Sequence, residues 1–208
     1  MIKNIIFDWS GVISDDFPVV YETMMGLFKK FGVKEVTLEK FKKEWEQPYM
    51  LNCNKYIPEL SKEKADALYK VIYKSVISKH NPKIFPHMKD TLLRFNKARV
   101  NMIIVSSHIS EYLLSDIKKF GLDKLFKEIN AGVHDKAEII NGVIKRNSFK
   151  PEETIFIGDT THEIQAGKKG GVKTAAVTWG YQEEEKLKSS NPDFIIHDLK
   201  ELELIILG

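Results

Sequence analysis

Ile5-Ile6-Phe7-Asp8-Trp9-Ser10-Gly11-Val12 is the stretch on which the reading of this chain turns. Three apolar residues of high strand propensity run straight into a carboxylate, and a glycine follows soon after. The pattern predicts a buried strand over 5–7. Asp8 then stands at the carboxyl end of a sheet strand, the edge at which open α/β sheets bind ligands. Gly11 allows a sharp turn and a close approach to a ligand. An Asp after an apolar run is ordinarily a turn former or a helix cap, so its meaning depends on how the other strands end.

Downstream, apolar strands are expected over 100–105, 154–157, 173–178 and 194–196, with a short edge strand over 125–129. Helices are expected over 90–97, 110–120, 163–169 and 199–207, and in part over 135–144, where Gly142 weakens the pattern. Strands alternating with helices imply a parallel sheet with right-handed crossovers. Residues 17–80 lack that alternation. Val20, Met24, Leu27, Phe28 and Phe31 recur at helical spacing, Phe41 and Trp45 mark a second helix, and Ala65, Leu68, Val71, Ile72 and Val76 form one face of a third. Residues 48–58 read as irregular. The expected architecture is a Rossmann-like three-layer α/β/α core, residues 1–13 and 84–208, interrupted by a small all-helical domain, residues 14–83.

Three of the strands end in polar clusters: Asp8, Ser106-Ser107-His108 and Gly158-Asp159. In a parallel sheet these ends converge on one edge. Lys136 precedes Asp159 by 23 residues. A carboxylate nucleophile, a hydroxyl, a lysine and a second acid in one place are what phosphoryl transfer to a carboxylate needs. Each residue also has an ordinary reading, Ser106 as a helix cap and Lys136 as a solvated lysine.

The composition fits a globular chain. Of 208 residues, 43% are hydrophobic and 29% charged. A net charge of +3 is too balanced to argue for nucleic acid as partner. The single cysteine, Cys53, forms no internal disulfide and reads as packing. No apolar stretch suits a signal peptide or a bilayer span, so a cytoplasmic protein, monomer or homodimer, away from membranes, is expected.

With these residues in place, the chain resembles the haloacid dehalogenase superfamily, in the branch similar to phosphoglycolate phosphatases. Phe7-Asp8-Trp9-Ser10-Gly11-Val12 resembles its first motif, Val105-Ser106-Ser107 its second, Lys136 its third, and Gly158-Asp159-Thr160-Thr161-His162-Glu163 its fourth. Val177-Thr178-Trp179-Gly180-Tyr181 resembles a further stretch of that branch, and the helical insert resembles its cap, which closes over the site and selects the substrate. The resemblance implies a phosphatase of a small phosphorylated metabolite. Asp8 would be the nucleophile that carries an aspartyl-phosphate. Mg2+ would be held by Asp8, the Ser10 carbonyl, Asp159 and, directly or through water, Glu163. Ser106, Ser107 and Lys136 would hold the phosphate, with Lys136 also orienting Asp8.

Two positions depart from the pattern. Ser10 stands where the family's phosphatases carry the aspartate that protonates the leaving oxygen. A serine hydroxyl does not replace that acid, whose help is worth roughly 10²–10⁴ in rate. Weak turnover, or turnover confined to good leaving groups, is expected. Ser10 also keeps two alternatives open: a catalytically degenerate relative that binds a phospho-ligand or a partner, and a phosphonatase-like enzyme using a lysine of the insert (Lys29, Lys30, Lys34, Lys40, Lys42, Lys43 or Lys55). Glu163 replaces an aspartate, a milder change. His108, directly after the second motif, is the candidate substitute acid.

Overall fold

A computed structural model describes residues 1–133 and 135–208. Six parallel strands, β1 (Asn4–Phe7), β2 (Asn101–Val105), β3 (Glu128–Asn130), β4 (Thr154–Gly158), β5 (Lys173–Val177) and β6 (Phe194–Ile196), form one sheet in the order β3-β2-β1-β4-β5-β6. β1 and β4 are buried along their whole length. Both sheet faces are covered, so neither strand alternates polar with apolar residues.

Alternate β1 residues point to opposite layers. Ile5 and Phe7 pack with Leu92 and Phe95 of α5 (Met88–Lys97), Leu113 and Ile117 of α6 (Ser110–Lys119) and Leu202 and Ile206 of α10 (Leu199–Leu207). Ile6 packs on the other side, with Ile140 and Val143 of α7 (Lys136–Asn147) and Ala166 of α8 (Thr161–Lys169). The result is a three-layer α/β/α core with β1 at its centre.

Between β1 and α5 the chain is helical: α1 (Phe17–Lys30), α2 (Leu38–Glu44), α3 (Met50–Tyr56) and α4 (Lys62–Ile77). These four share a buried cluster that includes Met24, Leu27, Phe28, Phe41, Trp45 and Cys53, and one residue from the sheet domain, Tyr181, completes it. Two chain segments join the insert to the core, and they pair with each other: Asp15 N donates to the Lys83 carbonyl and Phe85 N to the Ile13 carbonyl, both at 3.0 Å.

Three expectations need correction. Residues 48–58 are not irregular, since α3 occupies Met50–Tyr56. Asn52 and Asn54 weaken a helical reading of so short a segment, but tertiary bonds satisfy them: the Asn52 side chain closes on the Glu46 backbone, accepting at 3.0 Å and donating at 2.6 Å. α7 runs unbroken through Gly142, because Ile140 and Val143 on its buried face anchor it to the sheet. The edge strand starts later than expected, at Glu128. A further short helix, α9 (Glu184–Lys188), was not expected; Leu187 alone buries it.

Candidate active site

The register sets the site. Phe7 pairs with Ile104 of β2 and Ile157 of β4, so Asp8, Ser106 and Asp159 leave three neighbouring strands at the same sheet edge. Lys136 opens α7, whose N-cap is Asp135. Its ammonium lies 3.0 Å from Asp8 Oδ1 and donates to Glu163 Oε1 at 2.6 Å. Asp8, Lys136, Asp159 and Glu163 are all buried, at 4%, 4%, 1% and 2% exposure. One oxygen from each of Asp8, Asp159 and Glu163 lies within 4.8 Å of the others.

Glu163 has two duties. Its Oε2 accepts from the backbone N–H of Asp159 at 2.8 Å and of Thr160 at 3.2 Å, while Thr160 Oγ1 accepts from Glu163 N at 3.4 Å. This is a capping box at the start of α8. With Oε1 held by Lys136, Glu163 fastens the helix and orients the lysine. Asp159 is aimed by the loop after β5: Tyr181 N donates to Asp159 Oδ2 at 2.7 Å. Gly11 and Gly180 wall that carboxylate in, and a Cβ on either would fall 2.0 Å and 2.4 Å from Oδ2.

Three carboxylates face one ammonium here. Burial, then the Glu163 carboxylate, push Asp8 up to about 8 against the pull of Lys136. Burial and the other two carboxylates raise Asp159 as well. Burial also acts on Glu163, but Lys136 and the hydrogen bonds outweigh it and bring it down to about 2. Both Asp8 and Asp159 thus take up protons more readily than a free carboxylic acid, and a bound cation would oppose that uptake. Hard oxygens, an excess of negative charge and a glycine-walled carboxylate fit a divalent ion of the Mg2+ type.

Ser106 is fully buried, and its Oγ accepts from the backbone N–H of His108 at 3.3 Å. Ser107 lines the cavity described below. Ser10 sits elsewhere in the network. Its hydroxyl donates to Asp16 Oδ2 at 2.7 Å and lies 3.1 Å from His108 Nδ1. Tyr181 Oη donates to Asp16 Oδ1 at 2.7 Å, and Tyr73 Oη lies 3.3 Å from His108 Nε2. The Ser10 proton goes to Asp16, so His108 donates from Nδ1 and accepts from Tyr73 at Nε2. Burial lowers the His108 pKa, which favours this neutral form. The sequence reading missed Asp16 as a site residue. It precedes α1 and looks like a helix cap, yet its carboxylate makes no capping bond and turns to Ser10 and Tyr181 instead. Tyr181 carries no signal in the sequence beyond its place in Val177–Tyr181.

The profile of the haloacid dehalogenase-like hydrolases matches residues 5–177. The chain belongs to that family. As a member, it is 27% identical over 99% of its length to pyrophosphatase PpaX of Oceanobacillus iheyensis, of which 97% is covered. It is 22% identical to a phosphoglycolate phosphatase of Synechococcus elongatus, over 97% of this chain and 95% of that one. Its fold matches that of a haloacid dehalogenase-like hydrolase of Streptococcus pneumoniae, with a TM-score of 0.83, 23% identity and 98% of both chains covered. A structure from Clostridium acetobutylicum, described as a predicted phosphatase, superposes with a TM-score of 0.86 at 18% identity, over 100% of this chain and 99% of that one. These two structural likenesses speak to the fold. Among the described residues, no helix of the haloacid dehalogenase-like chain is long and apolar enough to cross a membrane.

Proposed function

We propose that this protein is a Mg2+-dependent phosphatase that uses Asp8 as nucleophile on a small phosphorylated metabolite. The observation that carries the reading is the buried pairing of Asp8 with Lys136 beside Asp159, at the edge where three strands end. Asp8, Asp159 and the Ser10 carbonyl would hold the metal, with Glu163 at most reaching it through water. The ion supplies neutralisation of charge between two anions that must meet. Lys136, together with the bound cation, would favour Asp8 as the carboxylate and face a phosphate oxygen, and Ser106 and Ser107 would supply further donors. Asp8 attacks phosphorus, the ester oxygen leaves with its electron pair, and water then cleaves the aspartyl-phosphate. The helical insert acts as the cap that excludes water. Relatives named pyrophosphatase and phosphoglycolate phosphatase support the class of reaction. The reading places the protein in the cytoplasm, as a monomer or homodimer.

Ser10 favours a second reading, a silent relative that binds a phospho-ligand. Phosphate release from para-nitrophenyl phosphate with Mg2+ decides between them. Wild type is expected to turn over slowly and Asp8→Asn not at all. Equal release by both would overturn the nucleophile, and tight beryllium fluoride binding without turnover would leave the binder. None of the seven insert lysines named above lines the cavity; among the described residues the insert lysine that does is Lys70.

A further inference from the structure

Above Lys136 and Ser10 a cavity of about 460 Å3 opens between the core and the insert. That lies within the roughly 300–1,000 Å3 of sites enclosing organic ligands, and it is larger than a diphosphate or a two-carbon phosphate needs. Four rings stand on its insert side, Trp45, Tyr49, Tyr69 and Tyr73, beside Val20, Gln47 and Pro48. Tyr69 stacks on Tyr73 at 5.9 Å and 20°, and tilts against Tyr49 at 5.5 Å and 48°. Two of the tyrosine hydroxyls are already engaged, Tyr49 donating to Asp66 and Tyr73 meeting His108. What these two residues offer the cavity is ring surface. Beyond Lys136, the described residues of the wall carry Lys70, the imidazoles of His108 and His162, Glu111, and Asp66, which is already ion-paired with Lys62. Among these described residues there is no excess of lysine or arginine charge over carboxylates with which to hold a second phosphate or a carboxylate.

We infer that the substrate is a phosphate monoester of a phenol-type hydroxyl on an aromatic or heteroaromatic ring without anionic substituents. The inference rests on the phosphatase reading above and narrows it. Ser10 points the same way independently. With no carboxylic acid at that position, expulsion of the ester oxygen depends on how well it carries charge, and aryl oxides leave far better than alkyl oxides. In the step, the Asp8–phosphorus bond forms as the phosphorus–aryl oxygen bond breaks. The aryl oxide leaves with the electron pair and takes a proton from water. A second water then cleaves the aspartyl-phosphate, returning Asp8 and releasing inorganic phosphate.

Two comparisons test this. The first is kcat/KM for phenyl phosphate against acetyl phosphate, which is small and has a good leaving group. The second is inhibition by phenylphosphonate against methylphosphonate. Phenylphosphonate is expected to bind about tenfold or more tightly. Tyr69→Leu should lower the phenyl-to-acetyl ratio of kcat/KM about tenfold, chiefly through KM. Tyr69→Phe should keep the ratio, because the ring and not the hydroxyl does the binding; retention also guards against misreading a folding defect. Turnover of acetyl phosphate with no phenyl preference in either comparison overturns the inference and leaves the phosphatase standing. No turnover of either compound, with phenylphosphonate still preferred, overturns the phosphatase and keeps the ring site. No turnover and no preference overturns both.

Discussion

At Lys136 a single ammonium sits between two buried carboxyl groups, 3.0 Å from Asp8 and 2.6 Å from Glu163. Removing it strands the Glu163 carboxylate, and the loss of one partner from a buried ion pair costs about 3–5 kcal/mol. Lys136→Met should therefore lose roughly that much in urea denaturation without metal, and regain part of it when Mg2+ is added; an unchanged midpoint would show that the lysine is not holding the cluster. Ser10 sets a different problem. Restoring the family's aspartate alone would place a carboxylate where the Ser10 hydroxyl now donates 2.7 Å to Asp16. Ser10→Asp is expected to be destabilised by roughly 1–3 kcal/mol with little gain in rate. Ser10→Asp with Asp16→Asn removes the repulsion and should raise kcat on alkyl phosphates by roughly 10² or more. A single variant as fast as the double one would show that Asp16 does not compete for the position. Asp8, Lys136 and Asp159 were legible from sequence because each follows an apolar strand or keeps a set spacing. Asp16 was not, because a backbone turn rather than a pattern brings it to Ser10.

At the scale of elements, the buried strands were legible and the short, polar or edge segments less so. β1, β2, β4 and β5 are runs of apolar residues, and hydrophobic burial decides them. α3 escaped because its hydrogen-bond partners lie outside it, at Glu46, where no local preference records them. α6 carries a testable cost of its own. Asp116 lies on its buried side, and burial, then Asp16, push it up to about 6 despite Lys119. A raised acid contributes its full stability below its ordinary value of 3.8 and loses it as pH rises through about 6. Asp116→Asn should thus gain roughly 1–3 kcal/mol at pH 7.5 and almost nothing at pH 4. Chemical denaturation at the two pH values checks this, and an equal gain at both would remove titration as the cause.

For the whole molecule, the metal couples the site to stability. Metal-free protein carries an Asp8 raised from 3.8 to about 8, so this group's contribution is lost as pH climbs through that window. Thermal midpoints in chelator should fall between pH 5 and pH 8. At a Mg2+ concentration of about 100 Kd the midpoint should rise by roughly 5–10 °C at pH 8, and by less at pH 5, where protons compete. A midpoint indifferent to both would exclude a cation from this cluster. The run of four helices α1–α4 could be read from where strand–helix alternation stops. The contents of the cavity could not, because its rings come from α4 and from the segment before α3, joined only by tertiary packing. The strand order has one more consequence, for synthesis. β1 is finished first, yet its two neighbours are made 97 and 150 residues later. At ribosomal speed the second wait is roughly 8–30 s. The helices between them lack only Tyr181 from their shared cluster and assemble in the meantime. A nascent chain stalled near residue 150 should therefore resist protease through α1–α4 while its apolar N-terminus, still without β4, is the part a chaperone holds.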